Sequence, residues 1–176
     1  MAISPIIVNS CKSCTARCCR GLAVVLTISE AVRMRQALAI PADEFLEFSS
    51  SIDSRGTPHY PFLVRAGGNA HEYFIIIKRR RKKDCIFLGD DLACTVYADR
   101  PGVCRLYPFE LDGGNQKKGA HCPVKFVREG GTGKAAAQLT RDLFEHGKIA
   151  RAWCAKFGSK GAPDMKRFDE YFQANK

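Results

Sequence analysis

Cys11-Lys-Ser-Cys14-Thr-Ala-Arg-Cys18-Cys19 places four thiols between positions 11 and 19. A Cys-x2-Cys pair lets two thiolates share one ion, because the backbone between them can turn its N–H groups toward the sulfurs. In a helical turn, positions 11, 14 and 18 lie on one face, and Cys19 projects elsewhere. Adjacent cysteines rarely bind one tetrahedral ion without strain, so Cys19 is expected to reach a second site or the far side of a cluster. Cys85, Cys94, Cys104 and Cys122 follow in the middle of the chain, where strand ends and turns are expected. These eight can supply two Cys₄ sites, or one iron–sulfur cluster with four thiols left over. A buried core cysteine is the ordinary alternative for any single one of them, but it accounts poorly for the set. Cys154, beside Trp153 in a helical stretch, is read as a packing residue.

Nine cysteines exceed what packing needs. A secreted domain would pair them as disulfides, but Met1-Ala-Ile-Ser-Pro-Ile-Ile-Val-Asn-Ser10 lacks a basic start, a long apolar segment and a small-residue cleavage site. The expected compartment is therefore the cytoplasm, where clustered thiols read as metal ligands or redox centres. The longest apolar run, Leu22–Ile28, is too short to span a bilayer, so no membrane association is expected. The 176 residues suit one compact domain, and an apolar share of 45% can build a core without staples. The formal net charge is +10. Metal-bound thiolates lower that balance by ~2 for one [4Fe–4S] core and by ~4 for two Cys₄ zinc sites. That correction weakens a nucleic-acid reading.

The elements that would carry these thiols alternate in type. Thr27 and Glu30 form a capping box opening a helix over Ile28–Leu38, with Val32, Met34, Ala37 and Leu38 as its apolar positions and Pro41 as its stop. A second short helix starts at Pro41, with Phe45, Leu46 and Phe48 as packing residues. Glu72–Lys78 reads as a strand, Asp84–Leu88 as another, and Leu92–Tyr97 as a third after a turn at Gly89–Asp91. Asp99–Gly102 is a further turn. A long helix is expected from Lys134 to about Phe157, and a last short one carries Phe168, Tyr171 and Phe172.

Other motifs carry less. The basic run Lys78–Lys83 can bind phosphate or an acidic partner, including nucleic acid, although its place between two strands also suits a solvated hairpin tip. Glu129–Lys134 lacks the first glycine and the Ser/Thr of a phosphate loop. His59, His71, His121 and His146 are scattered, and only His121 adjoins a candidate ligand. No Ser/His/Asp or Cys/His catalytic set is recognisable.

The segments CKSCTARCC, CIFL, CTVYADRPGVCRLYPF and CP, with TISEAVRM and PADEFLEF between them, resemble the CxxCxxxCC cysteine-cluster family of zinc- or iron-chelating domains. The resemblance runs from about Cys11 to Cys122. It implies that Cys11, Cys14, Cys18, Cys19, Cys85, Cys94, Cys104 and Cys122 are the family's eight metal-binding cysteines. It also implies an iron–sulfur cluster, of the [4Fe–4S] type, or Zn²⁺ as cofactor. Cys122-Pro123 resembles the Cys-Pro ending of ferredoxin cysteine runs, and Arg100 and Arg105 can balance a cluster's charge. The same cysteine pattern occurs in the longer flagellin lysine N-methylases, which use S-adenosylmethionine.

The expected architecture is a single α+β domain, with helices around a small antiparallel sheet and cysteine-rich metal-binding loops. Residues 1–125 would form the metal-binding core and 126–176 a helical extension packed on it. The expected function is iron–sulfur redox or protein-modification chemistry. The alternatives are a zinc-stabilised module that binds a protein or nucleic acid, and a lysine methylase.

Overall fold

The computed structural model describes residues 16–52, 59–66, 68–80, 83–107, 109–112, 115–118, 132–158 and 160–173. In chain order the elements are α1 (Arg17–Gly21), α2 (Ile28–Leu38), α3 (Ala42–Phe45), β1 (Leu46–Ser49), β2 (Phe62–Ala66), β3 (Asn69–Ile77), β4 (Arg79–Arg80) and β5 (Asp84–Cys85), then a 3₁₀ turn at Tyr97–Asp99. They continue with α4 (Gly102–Leu106), β6 (Phe109–Asp112), β7 (Asn115–Lys118), α5 (Thr132–Phe157) and α6 (Met165–Gln173). The class is α+β, with one three-stranded antiparallel sheet and two short antiparallel ladders. The chain forms two compact units: Met1–Leu22 with Arg79–Thr140, and Ala23–Lys78 with Arg141–Lys176.

The second unit holds most of the apolar core. Its sheet runs β1-β3-β2, with Leu46 opposite Ile77 and Phe62 opposite Tyr73. All four residues Phe74–Ile77 are buried, so the strand is covered on both faces there. β2 instead alternates: Phe62 and Val64 point inward, Leu63 and Arg65 outward. Phe48, Phe62, Trp153 and Phe168 pack with ring centroids 5.1–6.4 Å apart. Each fully buried side chain of this size contributes about 1.5–3 kcal/mol.

Helix α2 begins as its sequence predicts. Thr27 Oγ1 accepts from the Glu30 N–H at 3.2 Å, and Glu30 Oε2 accepts from the Thr27 N–H at 2.9 Å. A third terminal donor, the Ile28 N–H, goes to His146 Nδ1 at 3.0 Å, so three N–H groups that a helix start leaves open are satisfied by side chains. The buried face is Ile28, Ala31 and Met34; of the four apolar positions expected, only Met34 is fully covered.

Three expectations need correction. The helix expected to run through Phe48 stops at Phe45, because Leu46–Ser49 pairs with β3 and tertiary pairing outweighs local preference. Asp84–Leu88 is strand only at Asp84–Cys85, and Leu92–Tyr97 is not a strand. Turn chemistry prevails there: Asp91 Oδ1 accepts from the Ala93 N–H at 3.0 Å, Leu92 takes a φ of 63°, and Leu88 pairs with Cys94 by an isolated bridge. Among the described residues, no helix is long and apolar enough to cross a membrane.

Candidate metal centre

Five of the eight predicted ligands lie among the described residues, and all five belong to the first unit: Cys18, Cys19, Cys85, Cys94 and Cys104. Cys11, Cys14, Cys122 and the neighbouring His121 lie outside them. The five are free thiols on half-buried residues, as is Cys154.

Cys18 and Cys19, Cys85 and Cys104 sit on short elements and Cys94 at an isolated bridge, with arginines bonding backbone carbonyls nearby. Helix α1 carries Cys18 and Cys19, whose sulfurs are 3.8 Å apart. It starts from Ala16, a buried residue in the left-handed region with φ 54°. Cys85 lies on β5, directly across the ladder from Arg79. Arg79 donates from Nε and Nη2 to the Lys83 carbonyl at 2.9 and 2.5 Å, and from Nη2 to the Arg20 carbonyl at 3.2 Å. Arg80 Nη2 donates to the Ile86 carbonyl at 3.1 Å and also to that of Leu88. The tight turn after Leu88 returns the chain to Cys94, closed by the Gly89 N–H on the Ala93 carbonyl at 2.8 Å. The turn is close at Gly89, where a Cβ would meet Asp91 Oδ1 at 2.6 Å and the Ala93 carbonyl oxygen at 3.3 Å.

The stretch before Cys104 is clamped in the same way. Arg105 donates to the Arg100 carbonyl at 2.7 Å and to the Ala98 carbonyl at 2.8 Å. Arg100 is buried, donates to the Tyr97 carbonyl at 3.0 Å and stacks 3.5 Å over the Tyr97 ring. The Pro101 carbonyl accepts from the N–H groups of Cys104 and Arg105 at 3.0 Å, opening α4. Phe87, Leu88 and Leu106 are buried in this unit.

The thiols act on one another. A hydrogen bond from Cys19 brings the Cys18 thiol down to about 7 against the opposing effect of burial, and the Arg100 charge assists. Donating that bond, together with burial, pushes Cys19 well above the ordinary thiol range, and Cys104 and Cys85 add to the rise. Burial foremost raises Cys85, Cys94 and Cys104. Thiolate repulsion raises all three further, while Arg100 favours the ionised forms of Cys94 and Cys104. Ionising the whole set without a cation is therefore costly.

Soft, desolvated sulfur donors that repel one another when ionised fit zinc or iron by chemistry. Among the described residues, no group of three His, Cys, Asp or Glu side chains is arranged to hold a metal ion.

A family model, CxxCxxCC, described as a "putative zinc- or iron-chelating domain", matches residues 10–123, well over half of the 176. The chain belongs to this family. The matched span of the CxxCxxCC domain includes all eight candidate cysteines and excludes Cys154. Three residues separate Cys14 from Cys18, the CxxCxxxCC spacing seen in the sequence. No curated protein and no solved structure matches the chain.

Cys154 has its own task in the other unit, where its Sγ accepts from the Leu63 N–H at 3.0 Å. The roles of Arg79 and Arg80 escape a sequence reading that treats Lys78–Lys83 as a charge run. The one available signal is that three arginines, 79 to 81, stand between flanking lysines, which does not by itself single out the two that bind backbone carbonyls.

Proposed function

We propose that the CxxCxxCC domain of this chain carries an iron–sulfur cluster, serving redox chemistry or the cluster-bearing part of a protein-modifying activity in a reducing compartment. The observation that carries this reading is the family match over residues 10–123, which spans all eight candidate cysteines, five of them described and all five in one unit. Cys11, Cys14 and Cys122 complete the ligand set in the proposal. A bound iron–sulfur group would supply electron transfer or Lewis acidity. Buried Phe87, Leu88 and Leu106 of the same unit would help keep water from such a group, and Arg100 would offset thiolate charge.

Anaerobic purification followed by iron, sulfide and zinc analysis, with a visible absorption spectrum, tests the proposal. Stoichiometric iron and sulfide in a brown protein are expected. A colourless protein holding zinc alone would replace the iron–sulfur reading with a zinc-stabilised module, for which the paired thiols are also suitable.

A further inference from the structure

We propose that Arg79 is a positioning residue of the cysteine centre, its guanidinium joining the helix that bears Cys18 and Cys19 to the hairpin that bears Cys85. The inference rests on the metal-binding reading of those thiols and adds a residue to it.

The geometry is that of a clasp. Arg79 faces Cys85 across the β4–β5 ladder, and directly paired residues project their side chains to the same face. From that face the guanidinium bonds twice to the Lys83 carbonyl, two residues before Cys85. Its third bond goes to the carbonyl of Arg20, the residue after Cys19. The last carbonyls of a helix lack intrahelical partners, and a cation is favoured there. One planar fork thus bridges two cysteine-bearing elements that are far apart in sequence. The nearby Arg20–Asp84 pair, 4.0 Å apart and about half exposed, adds little.

This use differs from a surface role for the basic run. A patch that attracts an acidic partner needs only positive charge, and lysine would serve at position 79. A clasp needs several N–H groups in one plane, and a single ammonium cannot reproduce them. Lys83 gives the matching control, because its carbonyl is the acceptor while its exposed side chain contributes only charge.

The test compares Arg79→Lys, Arg79→Met and Lys83→Met with the unaltered full chain, reduced and metal-free. Zn²⁺ affinity is measured by chelator competition, and the Co²⁺ spectrum reports thiolate coordination. Trp153 is buried in the other unit and reports that unit's fold independently. Both Arg79 variants are expected to lose about 10–100-fold in Zn²⁺ affinity and to weaken the thiolate-to-Co²⁺ absorption, with Trp153 emission unchanged. Lys83→Met should stay within about twofold of the parent protein. Parent-like binding by Arg79→Lys would overturn the clasp, because charge alone would then suffice. A parent protein that takes up neither ion would instead overturn the metal-binding reading beneath it.

Discussion

Acid should destabilise the unit around Trp153 through two buried histidines. His59 and His146 are 4% and 1% exposed, with ring centroids 6.3 Å apart. His146 Nδ1 accepts from the Ile28 N–H at 3.0 Å, and its Nε2 bonds the Tyr60 carbonyl at 2.8 Å. A carbonyl only accepts, so Nε2 carries the proton, and a second proton on Nδ1 would confront the Ile28 N–H. Burial lowers both rings, and His59, further repelled by His146, falls to about 3 from an ordinary 6.5. A folded value below the unfolded one means that the unfolded chain takes up protons first as pH falls. The contribution to stability is complete above pH 6.5 and is lost progressively below it. For His59 the loss is about 2–3 kcal/mol at pH 4.5 and approaches about 5 kcal/mol near pH 3. That is comparable to the whole stability of a small domain.

Urea unfolding followed by Trp153 emission at pH 7.5 and 4.5 measures the effect. Carboxylate contributions are common to the parent and to His59→Leu, so their difference isolates one ring. The parent should lose about 2–3 kcal/mol more than His59→Leu between those pH values. Equal losses would refute the reasoning.

Three further perturbations address the cap, the cysteine turn and the edge of the sheet. Thr27→Val removes the oxygen that accepts from Glu30 N–H and should cost about 1–2 kcal/mol by chemical denaturation; unchanged stability would show that the box is not needed. Gly89→Ala sets a Cβ against Asp91 Oδ1, the acceptor of the Ala93 N–H, and should weaken Zn²⁺ uptake; parent-like uptake would mean that the turn tolerates the Cβ. Cys154→Ala removes the acceptor of the exposed Leu63 N–H and should cost about 0.5–1.5 kcal/mol with metal stoichiometry unchanged. A fall in metal content would instead make Cys154 a ligand.

The start of α2 was legible because Thr27 and Glu30 state a local rule that the fold obeys. The long helix α5 and the strand β3 were likewise carried by composition and period. β1 was not legible from propensity, since Leu46 and Phe48 follow a helical start and become strand only by pairing with Ile77 and Ile75. The hairpin of β2 and β3 had a readable signal in Gly67-Gly68 alone, where Gly68 takes a φ of 84°; Phe62-Leu-Val64 is a continuous apolar run whose in–out alternation shows only in the folded burial. Residue type and spacing were enough to suggest metal chemistry for the cysteines. Which thiols share a unit depends on turns at Lys83 and Gly89, on the helix start at Pro101, and on guanidinium bonds to backbone carbonyls. Those bonds leave no periodic trace in a sequence.

X-ray absorption at the metal edge of the loaded protein probes the convergence of thiols most directly. A first shell made of sulfur, at about 2.3 Å, is the predicted result for zinc or iron–sulfur occupancy. A first shell dominated by oxygen or nitrogen would contradict it.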